Sequence, residues 1–194
     1  MRTTLLAPDL RLTVCGLGEL DAHATAGVTH VLSILDPGFP EPAAFERYDP
    51  EHHRLTLRFH DIIGPWPGWQ APEREDVAAL IAFGEELDQA GERLRHLLVH
   101  CHAGVSRSTA ALATLLARHT PVGEEAGIFK RLHAIRPQAW PNSRMIGFAD
   151  ELLGRDGRLV AALRAFYRVQ AGLLPEFVEE LRRSGRDSEI PASS

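Results

Sequence analysis

The stretch that decides the fold is Leu97–His119, LLVHCHAGVSRSTAALATLLARH. With His96 it opens as a short apolar strand that ends at His100-Cys101. Five residues then separate Cys101 from Arg107, and from about Ser108 the text turns to alanine and leucine, which predicts a largely buried helix over Thr109–His119. A loop held between a strand end and a helix start can aim several backbone N–H groups at one point, and the helix dipole adds positive potential there. Such a cradle fits a phosphoryl group.

Each side chain in the loop has a separate physical use. Cys101, at its base, would feel the amides, the helix end and the Arg107 guanidinium, all of which favour thiolate over thiol. Arg107 can offer two parallel donors to two phosphoryl oxygens. Gly104 lets the backbone approach an anion with no Cβ in the way. An isolated cysteine at a strand end is usually a packing residue; the company of His100, Gly104, Arg107 and Ser108 is what gives Cys101 a chemical reading.

Working outward, Leu12–Leu17 reads as a strand, Glu19–Ala26 as a helix and Val28–Leu35 as a second strand stopped by the Asp36-Pro37-Gly38 turn. Leu55, Leu57 and Phe59 alternate with polar residues in a third strand. Residues 60–71, rich in Gly, Pro and Trp, read as a loop. Pro72 suits a first helical position, and Val77, Leu80, Ile81 and Leu87 form an apolar stripe ending at Gly91. Helices are predicted over Glu124–Ile135, Ser143–Leu153 and, broken at Pro175, Arg158–Arg183. From Gly185 the chain reads as a frayed or disordered end. The pattern predicts a single α/β domain: a central, mainly parallel sheet flanked by helices, with a phosphate-binding loop between a strand and a helix. Residues 1–157 are expected to form its catalytic part, 158–184 a helical extension packed on it and 185–194 a tail.

Composition narrows the function. The chain has 194 residues, 44% of them hydrophobic, and 21 basic against 26 acidic residues give a net charge of −5. That balance disfavours nucleic acid or an acidic membrane surface as partner. Two cysteines give no disulfide framework. Met1–Leu6 is poor material for a leader and no run approaches membrane-spanning length, so a cytoplasmic protein without integral membrane association is expected. His100, Cys101 and His102 do not read as a metal site, because adjacent strand residues point in alternating directions and no second Cys/His group completes a tetrahedron. No metal or other cofactor is called for. His30, His52 and His53 receive no role.

The extended text HCHAGVSRS carries the signature CxxxxxR(S/T) and resembles the cysteine-dependent protein tyrosine phosphatases, most closely their dual-specificity branch. GVTHVLSIL resembles that family's second strand, His60-Asp61 lies where it keeps its general-acid loop, and EEAGIFKRLHAIRP and PNSRMIGFADEL resemble its later helices. The resemblance spans roughly residues 10–153. It implies that Cys101 forms a phosphocysteine, that Arg107 clamps the phosphate, and that the backbone of His102, Ala103, Gly104, Val105, Ser106 and Arg107 cradles it. Ser108 would stabilise the departing thiolate, His100 would organise the loop by hydrogen bonding, and Asn142 would help hold the surroundings.

A general acid is also required, and Asp61, at a strand end entering a glycine-containing loop, is the candidate. Asp36 is its rival, although its turn position is explained by local backbone hydrogen bonds. Asp88 reads as a solvated helix residue, Arg136 and Arg144 as surface or local salt-bridge residues, and Cys15 as core packing, although some family members pair the nucleophile with a second cysteine. Trp66 and Trp69 suit either an aromatic wall beside the pocket or a cap on the core. The implied substrate is a phosphorylated protein or peptide, phosphotyrosine before dual specificity, with a small phosphomonoester also open. Rival readings are a phosphoinositide or nucleotide/RNA 5′-phosphate phosphatase and a non-catalytic phosphate-recognition module. The loop interior HAGVS has no lysine, which lowers the lipid reading. Homo-oligomerisation is left open.

Overall fold

The computed structural model describes Leu5 and residues 9–192. The Met1–Leu6 segment, Leu5 apart, and the last two residues of the tail lie outside the described residues. Four strands, β1 (Arg11–Cys15), β2 (His30–Leu35), β3 (His53–Arg58) and β4 (His96–His100), form one sheet in the order β1-β4-β2-β3. Every neighbouring pair is parallel. The central strands β2 and β4 are buried at every position, whereas β1 and β3, at the edges, are only partly so. That is why HVLSIL and HLLVH read as continuous apolar runs and the third strand as an alternation.

A parallel sheet delivers the ends of all its strands to one edge, where ligand sites of α/β folds gather. Here β1 leads into Gly16, β2 into Asp36, β3 into Asp61 and β4 into Cys101. Register brings Cys15 level with His100 and His100 level with Ser33. Four points distant in sequence thus reach one edge of the sheet.

Among the described residues six helices flank the sheet, α5 and α6 packing outside the others: α1 (Arg74–Ala90), α2 (Arg107–Ala117), α3 (Glu125–Ile135), α4 (Ser143–Leu152), α5 (Arg158–Leu173) and α6 (Pro175–Arg183). All eleven residues of α2 are buried. Its small Ala and Thr side chains permit that enclosure, and Thr114 satisfies its own hydroxyl on the Ala110 carbonyl at 2.9 Å. The extension belongs to the same core: Trp140 stacks on Tyr167 of α5 with ring centroids 4.8 Å apart, and Phe177 of α6 lies 5.5 Å away. Among the described residues no helix is long and apolar enough to cross a membrane.

Four local expectations need correction. The segment expected as a helix over Glu19–Ala26 is a 3-10 turn at Leu17–His23, because Leu20 is its one buried residue and cannot supply an apolar face. Pro72 precedes α1, whose N-cap is Glu73, accepting from its own first turn while Asp76 accepts the Glu73 N–H at 2.8 Å. Asp88 is not a solvated residue: it pairs with Arg118 at 3.0 Å and His119 at 2.9 Å, past the end of α2. Beyond Gly185 the described residues include a further 3-10 turn, Asp187–Glu189, because Arg186 and Glu189 are buried against each other.

The junction of α4 and α5 is fastened by one carboxylate. Buried Asp150 accepts from the Gly157, Leu159 and Val160 N–H groups at 2.6, 2.8 and 3.2 Å, capping α5 from a distance where Gly157 has no side chain to do so. Asp150→Ala is expected to lower the unfolding free energy by about 2 kcal/mol in urea denaturation, with α5 amides losing hydrogen-exchange protection first.

Candidate active site

The loop between β4 and α2 turns the carbonyl groups of residues 102–106 outward, and each of these is caught. The His102 carbonyl accepts from Leu17 N–H at 2.9 Å, Val105 from Trp140 N–H at 2.9 Å, and Ser106 from Ala110 N–H at 2.9 Å and Asn142 N–H at 3.3 Å. The carbonyls of Ala103 and Gly104 are taken by one side chain, Arg136, through Nη2 at 3.2 Å and Nε at 3.0 Å. Glu19 holds that guanidinium in a two-point pair at 2.8 and 2.7 Å. Arg136, expected as a surface or local salt-bridge residue, does pair with Glu19, and through its carbonyl contacts it is also a brace of the loop.

With the carbonyls fixed outside, the amides are left for the interior. Among the described residues the Ala103, Val105, Ser106 and Arg107 N–H groups have no protein acceptor, while Gly104 N–H donates to Cys101 Sγ at 3.3 Å. Gly104 has φ +69°, and a Cβ there would stand 2.4 Å from the Cys15 carbonyl carbon, so this turn admits only glycine. Cys101 is 1% exposed, and its sulfur meets Ser108 Oγ at 3.2 Å. The sulfur thus has the Gly104 N–H as donor and the Ser108 hydroxyl beside it, which can donate to it once it is a thiolate.

Arg107, 4% exposed at its side chain, is aimed by two acceptors on the same nitrogen. Nη1 donates to Asp36 Oδ1 and to the Phe59 carbonyl, both at 2.6 Å, while Nε is buried without a partner. The Asp36 carboxylate is thus not spent on its own turn, as the sequence suggested, but orients the guanidinium. Asp36 N–H donates to His102 Nε2 at 3.2 Å, and burial, then Arg107, lower the His102 pKa and favour the neutral ring that can accept it.

Asp61 lies across the loop from Asp36. Its Oδ1 accepts from Ser106 Oγ at 2.7 Å, Asn142 Nδ2 at 2.9 Å and Arg186 Nη1 at 3.2 Å; among the described residues Oδ2 takes no hydrogen bond. Burial raises the Asp61 pKa, but the Arg186 and Arg107 charges and the Asn142 and Ser106 hydrogen bonds outweigh it, so the carboxyl lies below its ordinary value. The carboxyl is 30% exposed and open to an incoming group. Asn142 also caps α4, accepting Met145 N–H at 3.1 Å, and donates to the Ile62 carbonyl at 3.3 Å. It therefore orders the loop that carries Asp61.

His100 Nε2 meets Ser33 Oγ at 2.7 Å on β2, and burial pushes its pKa down to about 4, which keeps the ring neutral. Cys15 is likewise a neutral core thiol, its pKa pushed up to about 12 chiefly by burial, and both cysteines are free. Trp66 and Trp69 are half exposed on the loop that carries Asp61, with Trp69 tilted over His60 at 4.5 Å. Among the described residues no three His, Cys, Asp or Glu side chains cluster to hold a metal ion.

No family model matches the chain. Dual specificity protein phosphatase 12 of the rat is 30% identical over 168 residues, covering 84% of this chain and 44% of that protein; its human counterpart is 28% identical over 161 residues, covering 79% and 42%. The chain spans less than half the length of these curated relatives. Among solved structures, human DUSP28 superposes with a TM-score of 0.54 at 22% identity over 77% of this chain and 96% of that one. The Yvh1 phosphatase domain of Chaetomium thermophilum gives 0.51 at 20% identity, covering 82% and 99%. The chain has a cysteine-phosphatase fold, with relatives among the dual-specificity phosphatases. In that fold Cys101 and Arg107 are the Cys-X5-Arg pair, carried on a loop between the last strand and the first fully buried helix.

Sequence reasoning missed Arg136 and Arg186. Nothing near either residue signals a role, since each acts on a group far away in the chain. For Arg107 the geometry makes a sharp demand, because a lysine cannot engage Asp36 and two phosphoryl oxygens in one plane. Arg107→Lys is expected to weaken orthovanadate binding at least tenfold, about 1.4 kcal/mol; unchanged affinity in a titration would remove Arg107 as the clamp.

Proposed function

We propose that the chain hydrolyses phosphate monoesters through a cysteinyl-phosphate, with protein or peptide phosphotyrosine as its substrate. The observation that carries this reading is the convergence on one loop of open amides of a buried thiol, a guanidinium with a free Nε and a carboxyl with a free oxygen. In the first step the Cys101 thiolate attacks phosphorus; the S–P bond forms as the P–O bond to the substrate breaks, and Asp61 Oδ2 gives its proton to the departing oxygen. In the second step water attacks phosphorus, Asp61 takes the water's proton and the P–S bond breaks, with Ser108 donating to the sulfur as it leaves.

The resting charges support a substrate-linked proton. Asp61 in the free protein is held ionised by cations, but a phosphate dianion in the loop engages Arg107 and adds negative charge beside the carboxyl, which raises its pKa and draws a proton onto Oδ2. Arg107 Nε and the loop amides would follow the charge as the transferring group becomes planar.

The half-exposed Trp66 and Trp69 on the acid's loop favour an aromatic leaving group, and the absence of lysine from His102–Ser106 leaves a highly anionic inositol headgroup without extra charge partners. In this reading residues 1–157 are the catalytic unit, residues 158–184 a helical extension completing its core, and the reaction takes place in a reducing, cytoplasmic compartment where Cys101 stays free.

Two variants test the mechanism. Cys101→Ser is expected to abolish turnover while retaining binding of a phosphotyrosine peptide, and intact-mass analysis of the quenched wild type should show one added phosphoryl group on Cys101. Binding with neither turnover nor adduct, across phosphotyrosine, phosphothreonine, inositol phospholipid and 5′-phosphorylated RNA, would make the protein a recognition module. The highest kcat/KM on either of the last two would reassign the substrate. Asp61→Asn is expected to lower kcat roughly 100-fold for poor leaving groups and much less for good ones. Wild-type activity on poor leaving groups should fall as pH rises through the Asp61 pKa of the complex, and that limb should be absent from the variant.

A further inference from the structure

The end of the chain enters the site at one atom. After α6, Gly185 adopts φ +70° beside Trp66 of the acid's loop, where a Cβ would lie 3.3 Å from the indole. Arg186 N–H bonds the Leu181 carbonyl at 3.0 Å, and the side chain turns inward to 6% exposure. Its Nε donates to Glu189 Oε2 at 2.8 Å, and Glu189 Oε1 accepts Ser143 N–H at 2.7 Å, one residue beyond Asn142. Glu189 alone neutralises Arg186. Nη1 is nevertheless directed to Asp61 Oδ1 at 3.2 Å, the oxygen that Ser106 and Asn142 already hold. Three elements, the loop, the start of α4 and the tail, therefore fasten one carboxylate oxygen and leave the other unengaged.

We propose that Arg186 is a positioning residue for the acid: by fastening Asp61 Oδ1 it keeps Oδ2 as the atom that exchanges a proton with the substrate, and so couples the end of the chain to leaving-group departure. This rests on the hydrolase reading. The groups facing Asp61 are Arg107 from α2, Ser106 from the loop, Asn142 before α4 and Arg186 from the tail, with His102 and His60 on the flanks and Tyr167 and Glu189 behind Arg186. Donors on Oδ1 are compatible with both states of the acid, because the carbonyl oxygen of a carboxylic acid accepts as a carboxylate oxygen does, whereas a donor on Oδ2 would compete with the proton. Arg186 also favours the ionised form, so its loss should let the carboxyl hold its proton to higher pH.

The experiment compares Arg186→Gln, Arg186→Lys and Glu189→Gln in the full chain. The Asp61 carboxyl is titrated by carbon NMR, which needs no turnover, and kcat is measured for aryl phosphates with poor and good leaving groups. In Arg186→Gln the Asp61 titration should rise by about half a pH unit or more, and the poor-to-good ratio of kcat should fall at least fivefold at a pH where Asp61 is protonated in both proteins, a ratio in which losses common to both substrates cancel. Arg186→Lys should restore part of each. Glu189→Gln, which leaves Arg186 to Asp61 alone, should move the titration the opposite way and keeps the proposal testable where Arg186→Gln does not fold. Lower thermal stability with the same titration and the same ratio would overturn the proposal, leaving Arg186 a structural tie. Absence of wild-type turnover would instead sink the hydrolase reading, with the titration still judging Arg186.

Discussion

The site depends on one constraint of the polypeptide: a loop that turns several amides inward must turn its carbonyls outward, and a buried carbonyl without a donor is costly. Residues 102–106 resolve this one carbonyl at a time, through Leu17, Arg136, Trp140 and the pair Ala110 and Asn142. Apart from Ala110 of α2 itself, those donors come from the turn after β1, from the end of α3 and from the segment leading into α4. The loop with its open amides is therefore a property of the whole domain. The positive φ of Gly104 and its contact with the Cys15–Gly16 backbone come from the same packing, since β1 must pass close beneath the loop for Leu17 to reach the His102 carbonyl.

A second layer of order is electrostatic. The site holds two arginines and three carboxylates in partly dry surroundings, and each arginine is tied so that one edge stays available. Asp36 takes Nη1 of Arg107 and leaves Nε; Glu189 takes Nε of Arg186 and leaves Nη1 for Asp61. Buried charges of this kind contribute little net stability against an apolar replacement, but removing one partner strands the other. What the arrangement secures is direction.

How much of this was legible in the sequence follows the range of each interaction. The strands β2 and β4, the Cys101–Arg107 loop and the buried helix after it are local patterns: continuous apolar runs, a glycine where the backbone turns sharply, an alanine-rich stretch. The place of Asp61 at the sheet edge was legible because a strand end followed by a Gly/Pro/Trp loop marks it. Asp36 was read as a turn residue because its neighbours explain it fully, and only the register of β2 against β4 brings it to Arg107. Arg136 and Arg186 carry no local mark at all. The polar tail SGRDSE reads as solvated, since its partners, Asp61 and Ser143, lie more than forty residues away in the chain.

Asp61 shows why the tail cannot be an appendage. A carboxyl whose folded pKa lies below its unfolded value stabilises the fold above the unfolded pKa, and that contribution is lost as pH falls through the folded one. The donors that hold Asp61 therefore favour the ionised form that supports the fold, while the proposed protonation of a leaving group requires the neutral form. A single strong donor would settle the conflict in favour of the fold. Three donors on one oxygen settle it differently: they fix the position of the carboxyl in either protonation state and leave the other oxygen unoccupied, so in the proposed reaction the charge of a bound phosphate shifts the balance without moving the carboxyl. Ser106 belongs to the loop and Asn142 follows from the clamp on the Ser106 carbonyl. The charged third donor comes from neither, and in this chain α5 and α6 bring it there.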